Sequence, residues 1–174
     1  SLLPPELLTL RFVQTSAASE AVLSPLWEIL IIAEAGSQGQ LCEIYEGEGA
    51  YMRQVHSRWK VEDNAVLKYY KVQDESPLAQ HRSSTEVFQS TASQLYYHTW
   101  SLGGACAEEK CTVTLGGRGA QAQMSGLYFP GSAQTLSQHW TVYHDHSDTL
   151  RCVGSSSATS RAEKSPICAC SPTA

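Results

Sequence analysis

The 174-residue sequence contains no run of about 18 apolar residues, so no segment is long enough to cross a membrane as a helix. Positive charge is scarce: 12 Lys and Arg stand against 17 Asp and Glu, for a formal net charge of −5. Non-specific binding to DNA or RNA needs a clustered basic face that displaces counterions, so no nucleic-acid partner is expected. The opening Ser1-Leu2-Leu3-Pro4-Pro5-Glu6 has neither a charged n-region nor a long apolar h-region, and no secretory signal is visible. The initiator Met is also missing, and the sequence reads as starting partway through a longer protein.

Enzyme signatures are missing as well. Ser125-Gly126 lacks the G-x-S-x-G turn that exposes a nucleophilic serine. Gly116-Gly117-Arg118-Gly119 lacks the Lys-Ser/Thr of a phosphate-binding loop, and no helical pattern follows it. Asp74 and Glu75 are acid–base candidates by chemistry, but they precede Pro77 and read better as a solvated turn. No catalytic residue is assigned, and the chain is expected not to be an enzyme.

What is present suits a globular chain: 42% hydrophobic and 17% charged residues. A chain of this length buries roughly 70% of its unfolded surface and needs no disulfide staples. Cys42, Cys106 and Cys111 fall in strand-like segments, and Cys152, Cys168 and Cys170 in the tail. Neither C-x4-C nor C-x-C matches a zinc finger or ribbon, so reduced structural thiols are expected, with a metal site as the alternative.

Four segments share one outline: a polar turn bearing Gly or Asn, a small residue, any residue, then an aliphatic one. The small residues are Gly39, Ala65, Ser93 and Ala120, at steps of 26, 28 and 27. Strand-like runs flank each turn, such as Trp27–Ile32 before the first and Leu41–Tyr45 after it. Several alternate apolar and polar residues, and they are rich in Val, Ile, Tyr and Trp. Two strands and two turns per repeat of about 27 residues match one coil of a parallel β-helix. An antiparallel sandwich also has short strands and Gly-rich turns, but it requires no constant period. Tyr69-Tyr70 and Tyr96-Tyr97 are expected to form stacked ladders, half of them inside the core. The coils are assigned to residues 26–150, after an irregular lead-in or first strand over 1–25. Beyond Leu150 the alternation gives way to Ser, Ala, Pro and Cys, so 151–174 is expected to be a disordered tail, from a frame change or an unrelated terminus.

The run Leu67–Pro77 resembles the "hyKvQ.Es" stretch of the SufB/SufD family. Ser101-Leu102-Gly103-Gly104 stands where that family has "sLGG", and Gly119–Tyr128 is similar to its "G.gA...l.Gly" coil. His139 with Thr141–His144 resembles its "H.T.vdH" stretch, and Ile32–Ser37 its "vaE.gs" turn. The resemblance covers roughly residues 26 to 150 and is closest to the SufD branch. It implies an all-β fold: a flattened, right-handed parallel β-helix. It further implies a non-catalytic scaffold that works with a SufB-like subunit and a SufC-like ATPase, in bacterial cytoplasm or plastid stroma. An iron–sulfur cluster is implied for the full complex alone, and no bound cofactor is assigned to this chain. The segments that grip the ATPase, and the Cys and His positions proposed for cluster assembly, have no counterparts here. A solenoid truncated in this way is expected to leave strand edges unpaired.

The densest candidate metal cluster is His139, His144, Asp145 and His146. His144 and His146 share one face if the strand continues through them, and a third ligand from a neighbouring coil completes a zinc or iron site. A polar strand end with hydrogen-bonded imidazoles is the simpler reading. A β-helical carbohydrate-active or carbohydrate-binding protein is the functional alternative, and it requires carboxylates aligned on an open face.

Overall fold

The computed structural model describes residues 6–16, 24–131, 133–146 and 148–157, with 151–157 described in backbone only. It holds eleven strands and no helix among those residues. They are β1 (Leu7–Thr15), β2 (Leu26–Ala33), β3 (Gln38–Glu48), β4 (Met52–Val61), β5 (Val66–Glu75) and β6 (Gln80–Gln89). There follow β7 (Gln94–Ser101), β8 (Cys106–Leu115), β9 (Gln121–Tyr128), β10 (Thr135–His144) and β11 (Leu150–Ser157). Odd strands form one sheet in the order β1-β3-β5-β7-β9-β11, and even strands the other, β10-β8-β6-β4-β2. Every pairing is parallel. The chain therefore winds a flattened β-solenoid, the architecture that the repeat predicts.

The period is nearer 28 than 27. Gln38 faces Val66 and Val66 faces Gln94, each one coil of 28 residues apart. Counting along the ladder places Ser37, not Gly39, at the corner position of Ala65, Ser93 and Ala120. Each of these four donates its N–H to the carbonyl three residues back, at Glu34, Glu62, Ser90 and Gly117. The residue before each corner has left-handed φ: Gly36 at 70°, Asn64 at 57°, Ala92 at 54° and Gly119 at 73°. The turn therefore selects Gly or Asn, and Ala92 occupies it at a cost of about 1 kcal/mol. Ala65, Ser93 and Ala120 are fully buried where successive corners stack.

β1 is a first strand within residues 1–25, one of the two forms expected there, and β11 carries the solenoid to Ser157, beyond the expected end at 150. β11 forms because backbone pairing with β9, from Leu150↔Gln121 to Ser157↔Tyr128, does not require the apolar alternation that ends near Leu150. Residues 158–174 of the expected tail lie outside the described residues.

Alternation along the strands divides inward from outward side chains, and the lumen splits lengthwise into two lanes. One lane is apolar: Leu41, Leu67, Leu95 and Met124 face Trp59, Val61, Val113 and Leu115 across the gap. Each such side chain contributes roughly 1.5–3 kcal/mol through removal from water. Tyr69 and Tyr97 stack inside at 5.1 Å, as expected of a ladder. Tyr70 and Tyr96 do not form its outer counterpart. The 28-residue step sets Tyr70 against His98, which it stacks at 5.5 Å, and Tyr96 beside Lys68.

Candidate functional site

The second lane of the lumen is polar, and it gathers charge that the sequence reading left unassigned. Inward positions on β3 and β5 place Glu43, Lys71, Gln73 and Glu75 opposite Arg53, His81, Ser83 and Glu109 from β4, β6 and β8. All eight are buried. Their alternation with exposed neighbours was legible in the sequence. Their inward direction was hidden because polar residues on alternating strands are normally read as solvent-facing.

Glu75 is the hub. Its Oε1 accepts from Tyr51 OH at 3.0 Å and lies 3.1 Å from Arg53 Nη1. Its Oε2 accepts from Gln73 Nε2 at 3.1 Å and lies 2.7 Å from His81 Nδ1. Burial works to raise the Glu75 pKa, but these donors outweigh it and hold the carboxyl at about 2. Burial, helped by the Lys71 charge, lowers His81 to about 4 against the pull of Glu75. The imidazole is therefore neutral at pH 7, and the charge that balances Glu75 is the Arg53 guanidinium. Arg53 also donates to the carbonyls of Phe12 and Glu46, at 3.2 Å each, which ties the first coil to the second.

A second group lies one position further along the strands. Lys71 Nζ donates to Ser83 Oγ at 2.7 Å, stands 3.9 Å from Glu109 Oε2 and sits over the Tyr45 ring at 5.3 Å. Glu109 accepts from Tyr97 OH at 2.8 Å, and Glu43 accepts from Tyr45 and Tyr69 at 2.6 and 2.7 Å. Burial and these carboxylates push all three phenols up, so they remain protonated donors. Asp74 and Glu75, taken together as a solvated turn in the sequence, diverge: Asp74 is exposed, whereas Glu75 is 4% exposed.

The candidate histidines are spread over different surfaces. β10 ends at His144, and His146 lies in the turn that follows, exposed. His144 Nδ1 is 2.6 Å from Thr149 Oγ1, which in turn donates to the His146 carbonyl at 2.9 Å. His139 shares the outward face of β10, in register with Lys110. Among the described residues, no group of three His, Cys, Asp or Glu is arranged to hold a metal ion. Cys42, Cys106 and Cys111 are free, and burial pushes the Cys111 thiol up, which disfavours the thiolate needed for ligation or attack. Cys168 and Cys170 lie outside the described residues.

The outer face of the even-numbered sheet carries an open groove of about 470 Å³, lined by Glu28, His56, Arg82, Glu108 and Lys110 among others. Its charges are mixed: Glu108 pairs with Lys110 at 2.8 Å and with Arg82 at 3.9 Å. Carboxylates do gather across neighbouring coils at Glu43, Glu75 and Glu109, but inside the lumen, not on an open face as a carbohydrate-active solenoid needs.

The described strands together define a parallel β-solenoid domain with a buried, charged lane inside its lumen. Residues 14–159 match the family model described as SUF system FeS cluster assembly, SufBD core domain, and the chain belongs to that family. It takes part in iron–sulfur cluster assembly. No curated protein and no solved structure matches it.

Proposed function

We propose that the chain is a non-catalytic scaffold piece of a SufBCD-type assembly complex, closest to the SufD branch. Its partners are a SufB-like scaffold subunit and a SufC-like ATPase, in bacterial cytoplasm or plastid stroma, and the iron–sulfur cluster is the cargo of the complex. The observation that carries this reading is the coincidence of the family's core-domain match, 14–159, with the solenoid that runs from Leu7 to Ser157. The SufD branch rests on the resemblance over residues 26–150 taken as a whole. Such a solenoid suits a scaffold because stacked coils offer long, rigid faces and backbone edges for partner contact.

Co-expression with SufB-like and SufC-like proteins, followed by anaerobic purification through a tag on this chain, tests the proposal. The SufB-like subunit is expected to co-elute at a fixed ratio through a second, sizing column. Recovery of the tagged chain alone, soluble and folded, sinks the proposal.

A further inference from the structure

One polar pair on the outside of the solenoid has no part in the lumen network. His98 on β7 and Ser125 on β9 face outward at directly opposed positions of the parallel ladder. Imidazole Nδ1 and hydroxyl Oγ are in hydrogen-bond contact. Both residues are half-buried, so the pair is reached from solvent on its outer side. On the far side of Ser125 the next coil places Gly154, which brings no side chain over the hydroxyl. Two residues earlier on the same face of β9, the Gln123 side chain is exposed and offers an amide donor.

We propose that Ser125 is a nucleophilic serine activated by His98, a site that accepts an acyl group from an activated ester. In the step, Ser125 Oγ bonds to the carbonyl carbon of the ester. The bond from that carbon to the leaving oxygen breaks, and the hydroxyl proton passes to His98 Nδ1.

The surroundings suit His98 to this task. Tyr70, in the coil before, stacks on the imidazole at 5.5 Å with 20° between the planes, and Trp100 stacks on Tyr70 at 6.2 Å. This stacking holds the ring with Nδ1 toward Ser125 and sets a π face against the imidazolium that forms. Partial burial lowers the His98 pKa below the ordinary 6.5, so the ring is an unprotonated acceptor at neutral pH. The titratable groups that share this face are Tyr96 on β7 itself and Lys68, Tyr70 and Asp74 on β5, while the outward positions of β9 hold none. Lys68 is turned toward the Tyr96 ring, 6.0 Å away. The backbone N–H groups of β7 and β9 are committed to the ladder, and His98 is not backed by a carboxylate among the described residues. The step is therefore a single acylation of the chain itself and not a turnover, which is compatible with a non-catalytic scaffold.

Timed exposure of the full chain to p-nitrophenyl acetate, followed by peptide mapping in a mass spectrometer, tests the proposal. Ser125 is expected to carry the acetyl group. A His98→Gln variant is expected to acquire it at least about tenfold more slowly, a margin below the roughly 10²–10⁴ that a positioned general base contributes. The pH dependence of the wild type provides a second readout that does not depend on the variant's folding. Acetylation of Ser125 is expected to be level above pH 6.5, the ordinary imidazole value, and to fall below it as His98 takes a proton. An unmodified Ser125, a variant rate within tenfold of wild type, or a rate that climbs steadily with pH as unassisted ionisation of a hydroxyl would, overturns it.

Discussion

Replacing Arg53 with Met is expected to destabilise the solenoid by about 3–5 kcal/mol, read as a fall in the urea midpoint at unchanged slope. The substitution roughly conserves volume but strips Glu75 of its balancing charge and leaves the Phe12 and Glu46 carbonyls without their donor. The pH dependence distinguishes this mechanism from a packing defect. In the wild type the folded pKa of Glu75, about 2, lies below the ordinary carboxyl value of 4.5. Its stabilisation is therefore complete above about pH 4.5 and lost as pH falls toward 2. Without Arg53 the buried carboxyl titrates higher, so the variant recovers relative to wild type as pH falls. A Glu75→Leu change added to Arg53→Met should likewise restore much of the loss, because a well-packed apolar pair can replace a buried ion pair. A deficit that stays constant with pH and is not relieved by the double substitution would show that the pair is not the source.

Gly103→Ala is expected to cost at least about 3 kcal/mol, or to prevent folding altogether. A Cβ on Gly103 would overlap the backbone N and O of Glu75 and lie 2.9 Å from the carbonyl carbon of Asp74. Those atoms are main chain of the coil below and cannot swing aside. Gly104, next in line, has φ of 89° and donates its N–H to the Glu75 carbonyl at 3.0 Å. The Ser101–Gly104 stretch is therefore the corner at which one coil sits directly on the Glu75 hub of the coil beneath. Thermal unfolding monitored by far-ultraviolet circular dichroism checks the prediction, and a melting temperature within about 2 °C of wild type would refute it.

Much of the fold was legible because solenoid physics repeats. The corner demands a small residue and a left-handed residue before it, so Asn64-Ala65 and Gly119-Ala120 mark the turn in the sequence itself. Gly39 misled because Ser37 supplies the first corner, two residues earlier, and a small residue also follows it. The outer Tyr ladder failed for a related reason: a one-residue change in period moves every stacking partner. The polar lane was illegible because alternation tells which residues share a face and not which face is inside. Lys71, Gln73 and Glu75 alternate as a solvated face would, and only the strands that close around them reveal Arg53, Ser83 and His81 opposite. Likewise β11 continues where side-chain alternation has stopped, since its pairing rests on backbone hydrogen bonds.

If this solenoid serves iron–sulfur cluster assembly, the activity of a resident iron–sulfur enzyme depends on it in the cell. In cells lacking the chain this activity is expected to fall, while the enzyme's protein level and the activity of a metal-free control enzyme hold. Recovery is expected with the wild-type chain and not with Gly103→Ala. Iron–sulfur enzyme activity that is unchanged when the chain is removed, under conditions where the chain is normally made, would contradict a role in cluster assembly.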